Sequence, residues 1–211
     1  MVESGSHFDK AAGDWDNEPR RVALMKAIGE AILREARPTQ EMDVLDYGCG
    51  TGLIGLFLLP HVRTVTGADN SLGMLEVLRD KITAGGFENM KAIELDLEQD
   101  LLHTTRYNMI VVGMVMHHIE DTEKVLRAFH DLLVPGGTLC LADLDTEPGT
   151  FHPADMDDIV HHHGFNRERL ERQLADVGFS QMRDTTALKF SKPVDGQDSQ
   201  EFSVFLITGK R

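Results

Sequence analysis

The chain of 211 residues, 41% of them hydrophobic, is long enough for one core of domain size. Its 21 basic against 35 acidic residues leave a net charge of −14, which a phosphate backbone repels, and no dense cluster of Lys and Arg offsets it; nucleic acid is excluded as an expected partner. The longest apolar stretch, Leu53 to Leu59, stops at Pro60, far short of the roughly 20 residues of a membrane span, so no membrane partner is expected either.

The N-terminal stretch MVESGSHFDKAAGDWDNEPR is polar and acidic, without the apolar segment of a secretory signal. From Asp43, DVLDYG reads as a short strand ending in glycine, and Leu53 to Leu59 as a buried helix stopped near Pro60. VRTVTGAD (62–69) is a second strand. Leu72, Leu75, Leu78 and Ile82 then recur at helical spacing, with Gly85 and Gly86 as a stop. KAIELD (91–96) and YNMIVVGMV (107–115) are the third and fourth strands. A helix over Thr122 to Leu133 carries Val125, Leu126, Phe129, Leu132 and Leu133 on one face and ends at the turn Pro135-Gly136-Gly137. TLCLADL (138–144) is a fifth strand. A helix over Arg167 to Val177, a strand over Arg183 to Phe190 and the alternating FSVFLIT (202–208) complete the chain, with polar DGQDSQ (195–200) as a surface turn. This alternation predicts an α/β fold with a largely parallel, doubly wound sheet. The two cysteines, Cys49 and Cys140, form neither a disulfide framework nor a CxxC pattern, which fits a reducing, cytoplasmic location.

In such a sheet, ligands bind at the carboxyl ends of the strands where the strand order reverses. The loop DYGCGTG (46–52) sits at that edge. Asp69 closes the second strand near the roughly 20-residue distance expected of an acid that grips ribose hydroxyls. Gly50-Thr51-Gly52-Leu53-Ile54-Gly55 is formally the GxGxxG of a dinucleotide site, which keeps an NAD-dependent oxidoreductase open. Asp46, however, sits badly beside a pyrophosphate and suits a ligand with an ammonium group.

With LDYGCGTG (45–52), GADNSLGML (67–75), ELDLE (94–98), NMIVVGMVMHHIED (108–121) and LLVPGGTLCLADLD (132–145) in register, the chain resembles the class I S-adenosylmethionine-dependent methyltransferases, specifically the small-molecule branch called methyltransferase type 11. The resemblance implies a Rossmann-like sheet of seven strands, mostly parallel with a C-terminal antiparallel strand and helices on both faces. It implies S-adenosylmethionine as cofactor and S-adenosylhomocysteine as product. Asp46, Tyr47, Gly48, Cys49, Gly50 and Gly52 would line the cofactor's methionine and ribose, and Asp69 would bind both ribose hydroxyls. Asn70 and Met74 would flank the adenine, though Met74 also fits a helix core. Asp96 would meet the adenine amine and the Leu97 backbone N–H a ring nitrogen. Gly113 and Met114 would lie along the methionine moiety. The resemblance also makes residues 1–40 an N-terminal helical lid, with Phe8 and Trp15 as plugs or as packing of a terminal helix, and 41–211 the catalytic domain with a substrate cap over 145–165.

Methyl transfer from a sulfonium needs alignment and exclusion of water, and a base only if the nucleophile must lose a proton. His117 and His118, past the fourth strand, are the candidates, with a structural role in the loop as the competing reading. His161-His162-His163 invites a metal reading, but three adjacent helical residues point about 100° apart and cannot converge, so no metal is expected. His163 remains a weaker catalytic candidate, at the substrate pocket. The partner expected is a small-molecule methyl acceptor, whose identity and reacting atom the sequence leaves open, as it does the oligomeric state. A catalytically silent cofactor-binding protein is the third reading.

Overall fold

In the computed structural model, which describes residues 4–99, 105–194 and 197–211, the apolar runs assemble into one sheet. Its strands are β1 (Asp43–Tyr47), β2 (Thr64–Asp69), β3 (Met90–Glu94), β4 (Tyr107–Gly113), β5 (Leu133–Leu144), β6 (Ser180–Val194) and β7 (Gln197–Lys210). Their order is β3-β2-β1-β4-β5-β7-β6; the first five are parallel and β7 runs antiparallel to both neighbours.

The continuous apolar character of the central strands follows from burial on both faces. Along β4, Met109 and Val111 face one core while Ile110 and Val112 face the other. Helices α5 (Thr122–Leu132) and α6 (Arg167–Val177) cover the second face with Val125, Leu126, Phe129, Leu170 and Leu174. The first face is covered by α2 (Pro19–Ala36), α3 (Leu53–Leu58) and α4 (Leu72–Gly85), through Ile28, Ala31, Ile32, Ile54, Leu58, Leu75 and Leu78. No described helix is long and apolar enough to cross a membrane.

Four sequence expectations change here. Of the 1–40 segment, α2 is a core helix with Ile28, Ala31 and Ile32 fully buried; only α1 (Ser4–Ala11) and the 3-10 turn Ala12–Asn17 lie outside that core. Pro135-Gly136-Gly137 does not separate α5 from its strand. Leu133 already pairs with Tyr107, and the register shifts before Met109 pairs with Thr138, so the turn is an irregularity inside β5. The expected turn at 195–200 has its first two residues outside the described ones, and Gln197–Gln200 belong to β7. His161–His163 are not helical but lie in the connection before α6, with a bend at His163.

Strand order reverses between β1 and β4, which opens a crevice at their carboxyl ends.

Candidate active site

A cavity of about 850 Å³ fills that crevice. Its floor is the β1 loop. Gly48, Gly50 and Gly52 all have positive φ, at 65°, 52° and 83°, but they serve different ends. A Cβ on Gly48 would strike Val115 at 2.3 Å and one on Gly52 would strike Leu78 at 2.4 Å, so these two allow close packing. A Cβ on Gly50 would meet nothing nearer than Met74 Sδ at 3.9 Å and Trp15 Nε1 at 4.0 Å. Gly50 therefore presents bare backbone to the cavity, beside Cys49, while Gly52 is not among its lining residues.

Asp46 is buried, and its Oδ2 accepts the Gly55 N–H at 2.9 Å, capping the first turn of α3. Burial, reinforced by the nearby Asp69, pushes its carboxyl up to about 7. That carboxylate occupies an amide of the helix terminus that a dinucleotide's pyrophosphate would need, which counts against the GxGxxG reading. Asp69, at the end of β2, accepts from the Gly50 N–H at 2.8 Å and the Ser71 N–H at 2.9 Å, so cofactor loop and ribose-binding candidate are locked together. Burial holds its carboxyl above the usual range against those bonds.

Asn70, Met74, Asp96, Gly113 and Met114 also line the cavity, as does Tyr47. Met114 has a φ of 61°, a left-handed conformation unusual for its type, with its N–H on the Ala142 carbonyl at 2.9 Å. Leu97 does not reach the cavity wall. Its N–H, expected to meet an adenine nitrogen, donates to the Tyr47 hydroxyl at 3.1 Å.

The opposite wall is built from histidines. His117 and His118 lie in a short 3-10 turn, Met116–His118, just past β4. His117 Nδ1 donates to Asp143 Oδ1 at 2.7 Å; Asp143 is fully buried in β5 and accepts backbone N–H groups from His117 and Leu144 as well. His118 Nδ1 lies 2.7 Å from the Ile159 carbonyl, which can only accept, so that nitrogen carries the proton. His152 approaches from the 145–165 connection, its Nε2 3.0 Å from His117 Nε2. Neither Asp143 nor His152 was singled out in the sequence. Asp143 had a signal, an acid inside the apolar run LCLADL; His152 had none. His163 lies outside the cavity, exposed, 3.7 Å from Glu147. His161 and His162 contribute through their backbone N–H groups, which hold the His117 carbonyl at 2.9 and 3.1 Å.

Ring contacts join the two walls. Phe8 meets Trp15 at 5.7 Å and His118 at 5.3 Å, and His152 meets Phe151 at 4.8 Å, with Phe190 beyond at 6.3 Å. The covering segment is tied to the floor: Asp9 accepts from Ser71 Oγ at 2.6 Å and the Gly73 N–H at 2.8 Å, Asp16 accepts from Thr51 Oγ1 at 2.6 Å, and Lys81 pairs with Asp16.

Sheet order and site together define a class, a Rossmann-like α/β domain with a nucleoside-type crevice at its carboxyl edge. A family model described as a methyltransferase domain matches residues 18–182, and the chain belongs to that family. An uncharacterized methyltransferase of Schizosaccharomyces pombe is 32% identical over 142 residues, 61% of this chain and 50% of that protein. A ubiquinone biosynthesis O-methyltransferase of Dinoroseobacter shibae is 31% identical over 128 residues, 56% of this chain and 48% of that one. The chain thus spans about half the length of these curated relatives. Among solved structures, a SAM-dependent methyltransferase from Aquifex aeolicus matches with a TM-score of 0.69 at 18% identity, covering 98% of both chains. Phosphoethanolamine N-methyltransferase 2 of Haemonchus contortus, in complex with S-adenosyl-L-methionine, matches with a TM-score of 0.71 at 14% identity, covering 97% of this chain and 60% of that one. At such identities these structures speak for the fold, and the class I methyltransferase architecture read from the motifs stands.

Proposed function

We propose that this domain transfers a methyl group from S-adenosylmethionine to a small-molecule acceptor bound against the histidine wall. The observation that carries this is the single cavity running from Gly50 and Asp69 to His117, His118 and His152. Bound there, the cofactor supplies a sulfonium methyl, which the acceptor's lone pair takes in line while the electrons of the broken S–C bond return to sulfur. Asp69 holds the ribose hydroxyls, Asp46 the ammonium group, and Asn70, Met74 and Asp96 surround the adenine. Phe8 and Trp15 on the lid and Phe151, Pro153 and Met156 on the cap exclude water and press the acceptor toward the methyl, the two contributions such a displacement asks of a protein. Their apolar surface favours an acceptor with an aromatic or aliphatic body. The acceptor's reacting atom faces His117, His118 and His152, where His118 holds its Nδ1 proton on the Ile159 carbonyl and turns its Nε2 to the cavity, while His117 Nε2 lies 3.0 Å from His152 Nε2.

The test is calorimetric titration with S-adenosylhomocysteine and, separately, with NADH, followed by a screen of phenols, hydroxy acids and amines with methyl-labelled cofactor. Micromolar binding of the first ligand alone, with label transferred to one acceptor class, is the expected outcome. Binding of NADH instead would overturn the proposal.

A further inference from the structure

We propose that His117, His118 and His152 form a binding site for a divalent transition-metal ion, zinc being the first to test. This deepens the function proposed above, because it says how the acceptor is ionised, and it rests on that reading only for what the ion does.

The three rings come from two separate stretches of chain, yet one ligand atom of each lies within 4.8 Å of the others. His117 Nε2 and His152 Nε2 are 3.0 Å apart. Zinc–nitrogen bonds of about 2.0–2.1 Å put neighbouring ligand nitrogens of a tetrahedral ion roughly 3.3 Å apart, close to this spacing. The outer contacts fit as well. Metal-bound imidazoles donate their second N–H to a carboxylate or a backbone carbonyl, which fixes the tautomer and ring direction. His117 does so to Asp143 and His118 to the Ile159 carbonyl, both at 2.7 Å. Among the described residues no hydrogen-bond donor reaches His118 Nε2, so a half-buried lone pair is left facing the cavity.

Three imidazoles suit zinc, copper, iron or nickel rather than magnesium or calcium, and three protein ligands leave a coordination position for a small molecule. An acceptor hydroxyl bound at that position loses its proton to solvent. The remaining oxygen lone pair then forms the new O–C bond as the S–C bond breaks, its electron pair going to sulfur. The His161–His163 run plays no ligand part: its backbone steadies His117, and His163 stands outside the cavity.

The test is titration of the full chain, stripped of metal with a chelator, with zinc sulfate by calorimetry and with cobalt(II) by visible absorption. One ion per chain and the intense absorption of tetrahedral cobalt are expected. His118→Ala and His152→Ala should abolish both signals, Asp143→Asn should weaken binding roughly 10–100-fold, and His163→Ala should change neither. His152 is not among the buried residues of the core, so its removal leaves the core packing in place. Zinc affinity equal in the wild type and the His118 and His152 variants would overturn the site, as would weak octahedral cobalt absorption or loss of binding in His163→Ala. S-adenosylhomocysteine titrated into the same samples separates the two proposals. Its binding without zinc removes only the metal site, and zinc binding without it removes only the cofactor assignment.

Discussion

Asp46 is where pH enters the site. Its carboxyl is held near 7 because burial removes its hydration and Asp69 adds a like charge, while one N–H bond from Gly55 compensates in part. Between the ordinary value of 3.8 and about 7 the folded chain keeps a proton that the unfolded chain has lost, so this group withdraws stability as pH rises through that window. A cofactor ammonium placed beside it reverses the preference. Affinity for S-adenosylhomocysteine should therefore rise with pH below about 7, by up to roughly tenfold per unit for one released proton. Asp46→Asn, whose amide oxygen can still accept from Gly55, should bind more weakly and lose this dependence. Titrations in buffers of different ionisation enthalpy read the proton directly; a flat profile in the wild type would place the ammonium elsewhere. Asp69→Ala acts by another route, removing charge-assisted bonds to two hydroxyls at roughly 1.5–3 kcal/mol each. Unchanged affinity in a folded Asp69→Ala protein would take that carboxylate out of the site.

At the scale of elements, α1 and its following turn are held over the cavity by polar contacts rather than by a core. Asp9 accepts from Ser71 and Gly73 at the start of α4, and Asp16 from Thr51. Such a segment opens at low cost. Hydrogen exchange in 4–17 should slow when S-adenosylhomocysteine binds, and Asp9→Ala should speed ligand release while leaving the melting temperature nearly unchanged. The same contrast explains what the sequence displayed. Strand β4 and residues 139–142 of β5 are legible because burial on both faces writes a continuous apolar run. Strands β6 and β7 extend well past their apolar centres, over Ser180–Val194 and Gln197–Lys210, because hairpin partners satisfy each other's backbone whatever their side chains. The glycine loop, Asp69 and the His117–His118 pair were legible because each lies at a strand end fixed by local pattern. His152 was not, since its place beside His117 is set by the path of the 145–165 connection. The His161–His163 run reads as helical in the sequence, whereas the N–H groups of His161 and His162 bond to the His117 carbonyl instead of to a helix of their own.

For the whole molecule, the decisive boundary falls near Pro19 rather than at residue 40. Ile28, Ala31 and Ile32 of α2 are fully buried among Val44, Leu58, Met109 and Val204, so this helix completes one face of the sheet. Of residues 7–17 only Ala12 is buried, yet they carry Phe8 and Trp15 to the cavity and connect the cofactor loop with the histidine wall. Fold and function should therefore separate along the chain. Ile28→Ala leaves a cavity in a packed core and should lower unfolding free energy by about 2–5 kcal/mol, seen as a shift of the denaturation midpoint. Deletion of residues 1–17 should leave the midpoint close to that of the full chain while weakening S-adenosylhomocysteine binding and exposing the acceptor to water. If the deletion instead unfolds the protein, the N-terminal turns are part of the core after all, and the contacts of Asp9 and Asp16 hold the fold together rather than close the site.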